Sequence, residues 1–156
     1  MNWQRAAIRF LAPLEDYEAS DKVSNNDSLA FEVSYGGRSF LLTGDIEKQV
    51  EARLSVDDTL ESVDVLKAPH HGSKTSSNSY FLEQTTPRIA LVSAGLDNRF
   101  HHPHPDVVER MRRMGTAVLR TDKLGVVTVL TDGRDLRVET FHWQGGRAPL
   151  LPVFSD

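Results

Sequence analysis

From Ala7 to Leu11 apolar and polar residues alternate and Pro13 closes the run, so AAIRFLAP predicts a short strand. A polar stretch, LEDYEASDKVSNND, leads to SLAFEVSY (28–35), a second alternating segment whose partner SFLLTG (39–44) returns across the turn signal Gly36-Gly37. In IEKQVEARL (46–54) the period changes: Ile46, Val50 and Leu54 share one face, which predicts an amphipathic helix just after Asp45. VDVLKAP (63–69) and RIALVSAG (88–95) are apolar enough for buried strands, with a helix, SNSYFLEQ, between them. PDVVERMRRMG (105–115) has proline near its start and glycine at its end, as helices do. TAVLRT then predicts a strand, GVVTVLTDGRDLRVETFHW a hairpin turning at Asp132-Gly133, and GGRAPLLPVFSD (145–156) a loosely ordered tail. A hairpin, an alternation of strands and helices, and a closing hairpin make an α/β layered domain on a mixed sheet.

Composition narrows what such a domain does. At 156 residues the chain fits one domain, and no stretch approaches the ~20 apolar residues that cross a bilayer. The N-terminus lacks the form of a signal peptide. A net charge of -4 argues against holding nucleic acid on a general basic surface, so a phosphate substrate needs metal ions beside it. Without cysteine, any metal is left to histidine and carboxylate ligands.

Two segments put such groups at strand ends. LLTGDIE exposes Asp45 where a strand gives way to a helix, the place where α/β proteins keep their sites; a helix N-cap is the other reading of the same residue. KAPHHGSKTSS carries His70, His71, Gly72 and Ser73 past the next strand, with small residues that leave room for a ligand; a polar turn capped by Ser77 is the alternative. Asn25 and Asn26 predict turn hydrogen bonds, Thr121-Asp122 a cap between strands, Met111 and Met114 core contacts, and His142 a surface residue.

In the order TGD, PHHGS, SS and a later HP segment, the chain from about Ile8 to about Phe141 resembles the C-terminal part of the metallo-β-lactamase-like domain of the ComEC family of competence DNA-uptake proteins. The resemblance implies an αββα sandwich, with residues 1–144 a partial domain of that kind and a binuclear site between its sheets. It implies that Asp45 is the bridging aspartate and that His71, in Pro69-His70-His71-Gly72, is the better ligand of the pair. His70, Ser73 and His102 would then lie around the ligands or contact substrate. By this resemblance the full domain is expected to be a metal-dependent phosphodiesterase, a nuclease acting on DNA, in a soluble part of a membrane-embedded channel protein of the cell envelope. Two divalent cations sharing a carboxylate activate water near neutral pH and neutralise a phosphate; zinc and manganese both suit these ligands.

The same fold places an H-x-H-x-D-H segment before the bridging aspartate, and upstream of Asp45 this chain has no histidine. His102, His104 and Asp106 imitate that motif, but Val107 stands at its sixth position, Pro103 and Pro105 stiffen it, and its order along the chain is reversed. The family carries N-x-x-x-H-P there, matched by Asn98 and His102-Pro103 as a rim loop, with His101 where a glycine is usual; His101 and His104 themselves read as solvated loop residues. The expectation is therefore partial, weak metal binding, no activity in the isolated chain, and self-association through an uncovered sheet face. Another hydrolase of this fold, a phosphorylcholine esterase or lactonase, and a non-catalytic interaction module are the rival readings.

Overall fold

The computed structural model describes residues 6–14, 24–56, 59–142, 146–147 and 151–154. Strands β1 (Ala6–Ala12), β2 (Ala30–Tyr35) and β3 (Arg38–Leu42) run antiparallel, with Gly36-Gly37 as the β2–β3 turn. Helix α1 (Lys48–Val56) then begins a parallel series: β4 (Val65–Lys67), α2 (Ser79–Thr85), β5 (Ile89–Val92), α3 (Pro105–Arg113) and β6 (Ala117–Arg120). All six strands lie in one mixed sheet in chain order.

A short helical turn, α4 (Thr121–Leu124), precedes the hairpin β7 (Val126–Thr131) and β8 (Leu136–His142). Where a loose tail is expected, β9 (Gly146–Arg147) and β10 (Leu151–Phe154) both pair with β8, giving a second sheet of four strands. The side chain of His142 lies outside the described residues.

Register explains the layers. Leu41, Leu66, Ala90 and Val118 stand side by side across β3 to β6 and pack with Val50, Leu54, Phe81, Leu82, Val107 and Met111 of the three helices. One residue earlier on β3 to β5, Phe40, Val65 and Ile89 face the other way and meet Leu136 and Val138 of β8. Fully buried Ile46, Leu54, Phe81 and Leu82 each contribute roughly 1.5–3 kcal/mol by leaving water. The result is helices, a mixed sheet and a small antiparallel sheet, stacked as three layers.

Element ends are tighter than periodicity suggests. Helix α1 starts at Lys48, three residues beyond Asp45, so Asp45 is not its N-cap. The strands after it keep only the paired cores of VDVLKAP and RIALVSAG, because Pro69–Gly72 folds into a turn of its own. Met111 is fully buried, whereas Met114, past the end of α3, is 37% exposed and makes no core residue.

Candidate active site

Parallel strands all point their carboxyl ends to one edge, and each delivers part of the site there. After β3, buried Thr43 donates to the Lys67 carbonyl at 2.8 Å, tying the end of β3 to that of β4. Gly44 follows with φ 55, and a Cβ there would come within 2.7 Å of Ser28 Cβ. The Ser28 hydroxyl accepts from the Asp45 amide at 3.0 Å, so the TGD sequence is a tie, a close approach and a presented carboxylate.

After β4 the chain turns through His70 (φ 45), His71 (φ 56) and Gly72 (φ 78). Two successive non-glycine residues in the left-handed region cost on the order of 1–3 kcal/mol each, and such strain persists where surroundings dictate it. Here the His70 amide donates to the Gly44 carbonyl at 3.2 Å and the Ser76 hydroxyl to the Pro69 carbonyl at 2.9 Å, and Glu51 of α1 anchors the segment that follows. Fully buried, its carboxylate accepts from the amides of Ser77 and Asn78 and from Asn78 Nδ2, while Arg110 of α3 donates to the Ser77 carbonyl at 2.6 Å. Burial, the largest influence, raises the Glu51 pKa; the hydrogen bonds oppose it.

The turn sets the two imidazoles to different tasks. His71 Nδ1 donates to the Ser93 carbonyl after β5 at 2.7 Å, which leaves Nε2 of the neutral ring as a lone pair. That lone pair lies 3.5 Å from Asp45 Oδ1, with both groups about two-fifths exposed. Metal-binding histidines are oriented in this way, through the nitrogen that does not ligate. His70 is held elsewhere: its Nε2 lies 3.5 Å from Asn25 Nδ2, and its buried Nδ1 stands 3.2 Å from Glu47 Oε1 without hydrogen-bond alignment. Thr75 donates to Glu47 at 2.6 Å and is the main reason that the Glu47 pKa is lowered.

Lys67, the last residue of β4, donates to the Gly44 carbonyl at 2.7 Å and lies 3.5 Å from Asp45 Oδ1. Burial lowers its pKa, and Asp45 opposes that. Ser73 is buried, with its hydroxyl 3.0 Å from that of Thr75.

The fourth contribution is the loop between β5 and α3. Asn98 clasps it, accepting from the His102 amide at 3.0 Å and donating to the His102 carbonyl at 2.7 Å, which gives N-x-x-x-H a physical reason. His101 has φ 55, the conformation that suits the usual glycine. The His102 ring lies 5.5 Å from that of His70, and burial followed by the neighbouring His70 and His71 lowers its pKa. His104 caps α3, Nδ1 accepting from the Asp106 amide at 3.3 Å, so it is a helix cap and not a solvated loop residue.

The structure thus brings Asp45, His71, His70 and His102 to one edge, with Ser73 beneath them. Lys67, Glu47, Glu51 and Ser93 are further parts. Neither Lys67 nor Glu51 carries a signal of its own in the sequence, because their partners come from segments distant along the chain. Asp45 and His71 fit a divalent cation as a partial ligand set: among the described residues no three histidine or carboxylate side chains converge on a point.

No family model matches the chain. It is 44% identical over 111 residues, 70% of its length, to ComE operon protein 3 of Bacillus subtilis (strain 168). Over 131 residues, 82% of its length, it is 38% identical to Recombination protein 2 of Haemophilus influenzae. Over 149 residues, 91% of its length, it is 36% identical to Competence protein ComA of Neisseria gonorrhoeae. The aligned regions are only 14%, 16% and 21% of these relatives' own lengths. Similarity to these three proteins, each at 36% identity or more over 70% or more of the chain, places it in the ComEC family of competence proteins.

Proposed function

We propose that the chain is part of a metal-dependent phosphodiesterase domain of metallo-β-lactamase fold that acts on DNA during competence-linked uptake. The observation that carries this is the His71 ring, fixed through Nδ1 on the Ser93 carbonyl with Nε2 turned to Asp45 Oδ1 at 3.5 Å. Asp45 and His71 are the metal-binding residues in this reading, for zinc or manganese. Divalent ions held there supply water activation and phosphate neutralisation. His102, kept neutral, and His70 line the approach, and Ser73 shapes the turn that presents both histidines of the pair.

The remaining ligands come from another part of a longer protein in this reading. Support comes from β1, where Ile8 and Phe10 are 59% and 67% exposed on the face opposite buried Leu11. That face is where further strands dock. Among the described residues no helix is long and apolar enough to cross a membrane, and we assign membrane attachment in the cell envelope to the rest of the longer protein.

Nuclease assays on single- and double-stranded DNA with Mn2+ or Zn2+ test the reading. The expected result is no turnover by the chain alone and turnover by a longer protein that also contains H-x-H-x-D-H, lost in Asp45→Ala. Undiminished hydrolysis by that variant sinks it.

A further inference from the structure

We propose that Arg99 and Phe100 form a platform on which an unpaired nucleobase stacks at the rim of the site. Phe100 is 62% exposed, an unusual place for a ring that has no core to serve. It is nonetheless held: the Asn98 clasp fixes the loop on both sides of His102, and the Phe100 ring lies near-parallel to His102, at 22° and 5.9 Å between centroids. The Arg99 guanidinium sits 4.8 Å from the Phe100 ring centre. From Phe100 the rings continue inward through His102 to His70, 5.5 Å further, beside the His71 and Asp45 pair.

The chemistry of this pair selects its ligand. A planar guanidinium lying over an exposed aromatic ring offers its own flat face to a base and a cation to the adjoining phosphate. Bases in a duplex have their faces covered, so the platform takes a single strand. Charge makes stacking the more necessary, because a chain of net charge -4 has no general basic surface to hold a strand by its phosphates. A base stacked there would hold its strand, and with it the backbone, at the outer end of the row of rings Phe100, His102 and His70. The inference rests on the phosphodiesterase reading for what happens to that backbone, not for the stacking itself.

The test compares an oligothymidylate with an abasic strand of equal length, by fluorescence anisotropy on the full chain in EDTA. Wild type should bind the intact strand about 5-fold or more tighter, as one stacked base warrants. Phe100→Ala should erase the preference, Phe100→Tyr should keep it, and Leu96→Ala, at another exposed apolar position of the loop, should leave it unchanged. Equal affinity for the two strands, binding of neither, or a preference that survives Phe100→Ala overturns the platform. None of these outcomes bears on metal-dependent hydrolysis. Conversely, hydrolysis indifferent to Asp45→Ala overturns the phosphodiesterase reading and leaves a Phe100-dependent preference standing.

Discussion

His71 Nε2 and Asp45 Oδ1 face each other at 3.5 Å, with Nδ1 of the ring donating to the Ser93 carbonyl at 2.7 Å. In the proposed metal-binding reading, a divalent cation is shared by these two atoms. The prediction is that Zn2+ moves the Nε2 resonance of His71 in nitrogen-15 spectra of the chain and leaves Nδ1 in its protonated position. Asp45→Ala should weaken Zn2+ binding by about tenfold or more, the loss of roughly 1.4 kcal/mol or more. A shift at Nδ1 instead would place the ion on the wrong side of the ring.

Glu51 anchors the segment that follows the histidine turn. Its replacement by alanine leaves the Ser77 and Asn78 amides without their buried acceptor, and the expected loss is about 3 kcal/mol in urea unfolding at pH 7. Glu51→Gln keeps one acceptor oxygen and should lose less. Equal stability of Glu51→Ala and wild type would show that the turn holds itself.

Gly72 offers a sharper probe of the same turn. At φ 78, an added Cβ would stand 2.6 Å from Pro103 Cβ, and the His104 amide donates to the Gly72 carbonyl at 2.9 Å. Gly72→Ala should therefore lower stability by about 2 kcal/mol and push the rim loop from the histidines, read as changed amide shifts of His102 and His104. An unperturbed loop contradicts the packing described.

Asp122 gives a pH dependence. Its carboxylate takes two hydrogen bonds from Arg120, at 2.9 and 2.6 Å, and these are the largest cause of its lowered pKa. With the folded pKa below the unfolded one, the stabilisation is present above the unfolded value and is lost as pH falls through the folded one. Relative to Asp122→Asn, the wild-type chain should be more stable by about 1 kcal/mol at pH 7, the difference closing in the acid range below pH ~4. A difference that widens in acid refutes the assignment.

The uncovered face of β1 predicts self-association of the isolated chain. Light scattering should give a mass above that of one chain, and Phe10→Lys, at a position 67% exposed, should reduce it without loss of thermal stability. A monodisperse monomer in wild type argues against an interface on that face.

Legibility in the sequence followed the physics of each element. Alternation marked β1 to β3 and the β7–β8 hairpin because each has faces in different surroundings, and the four-residue spacing of Ile46, Val50 and Leu54 marked α1. Boundaries were less visible where a side chain replaced a backbone ladder: the helix start moved to Lys48 because residues 43–47 are tied instead to Ser28, Asn26 and Lys67. Asp45, His70 and His71 announced themselves by residue type at strand ends. Glu51 did not, since a glutamate beside an apolar stripe reads as solvated until the Ser77 and Asn78 amides arrive from 26 and 27 residues away. The same holds for Lys67, whose partner carbonyl at Gly44 exists only once β3 and β4 are paired.

Lys67 has one more consequence. Its ammonium, at 3.5 Å from Asp45 Oδ1, makes the carboxylate half of a pair that is already neutral overall. Under the proposed reading, a divalent ion at Asp45 would meet not a bare anion but one already beside a tethered cation. Loading would then be an exchange of one cation for another, and Lys67→Met would bare the charge that the ammonium now balances.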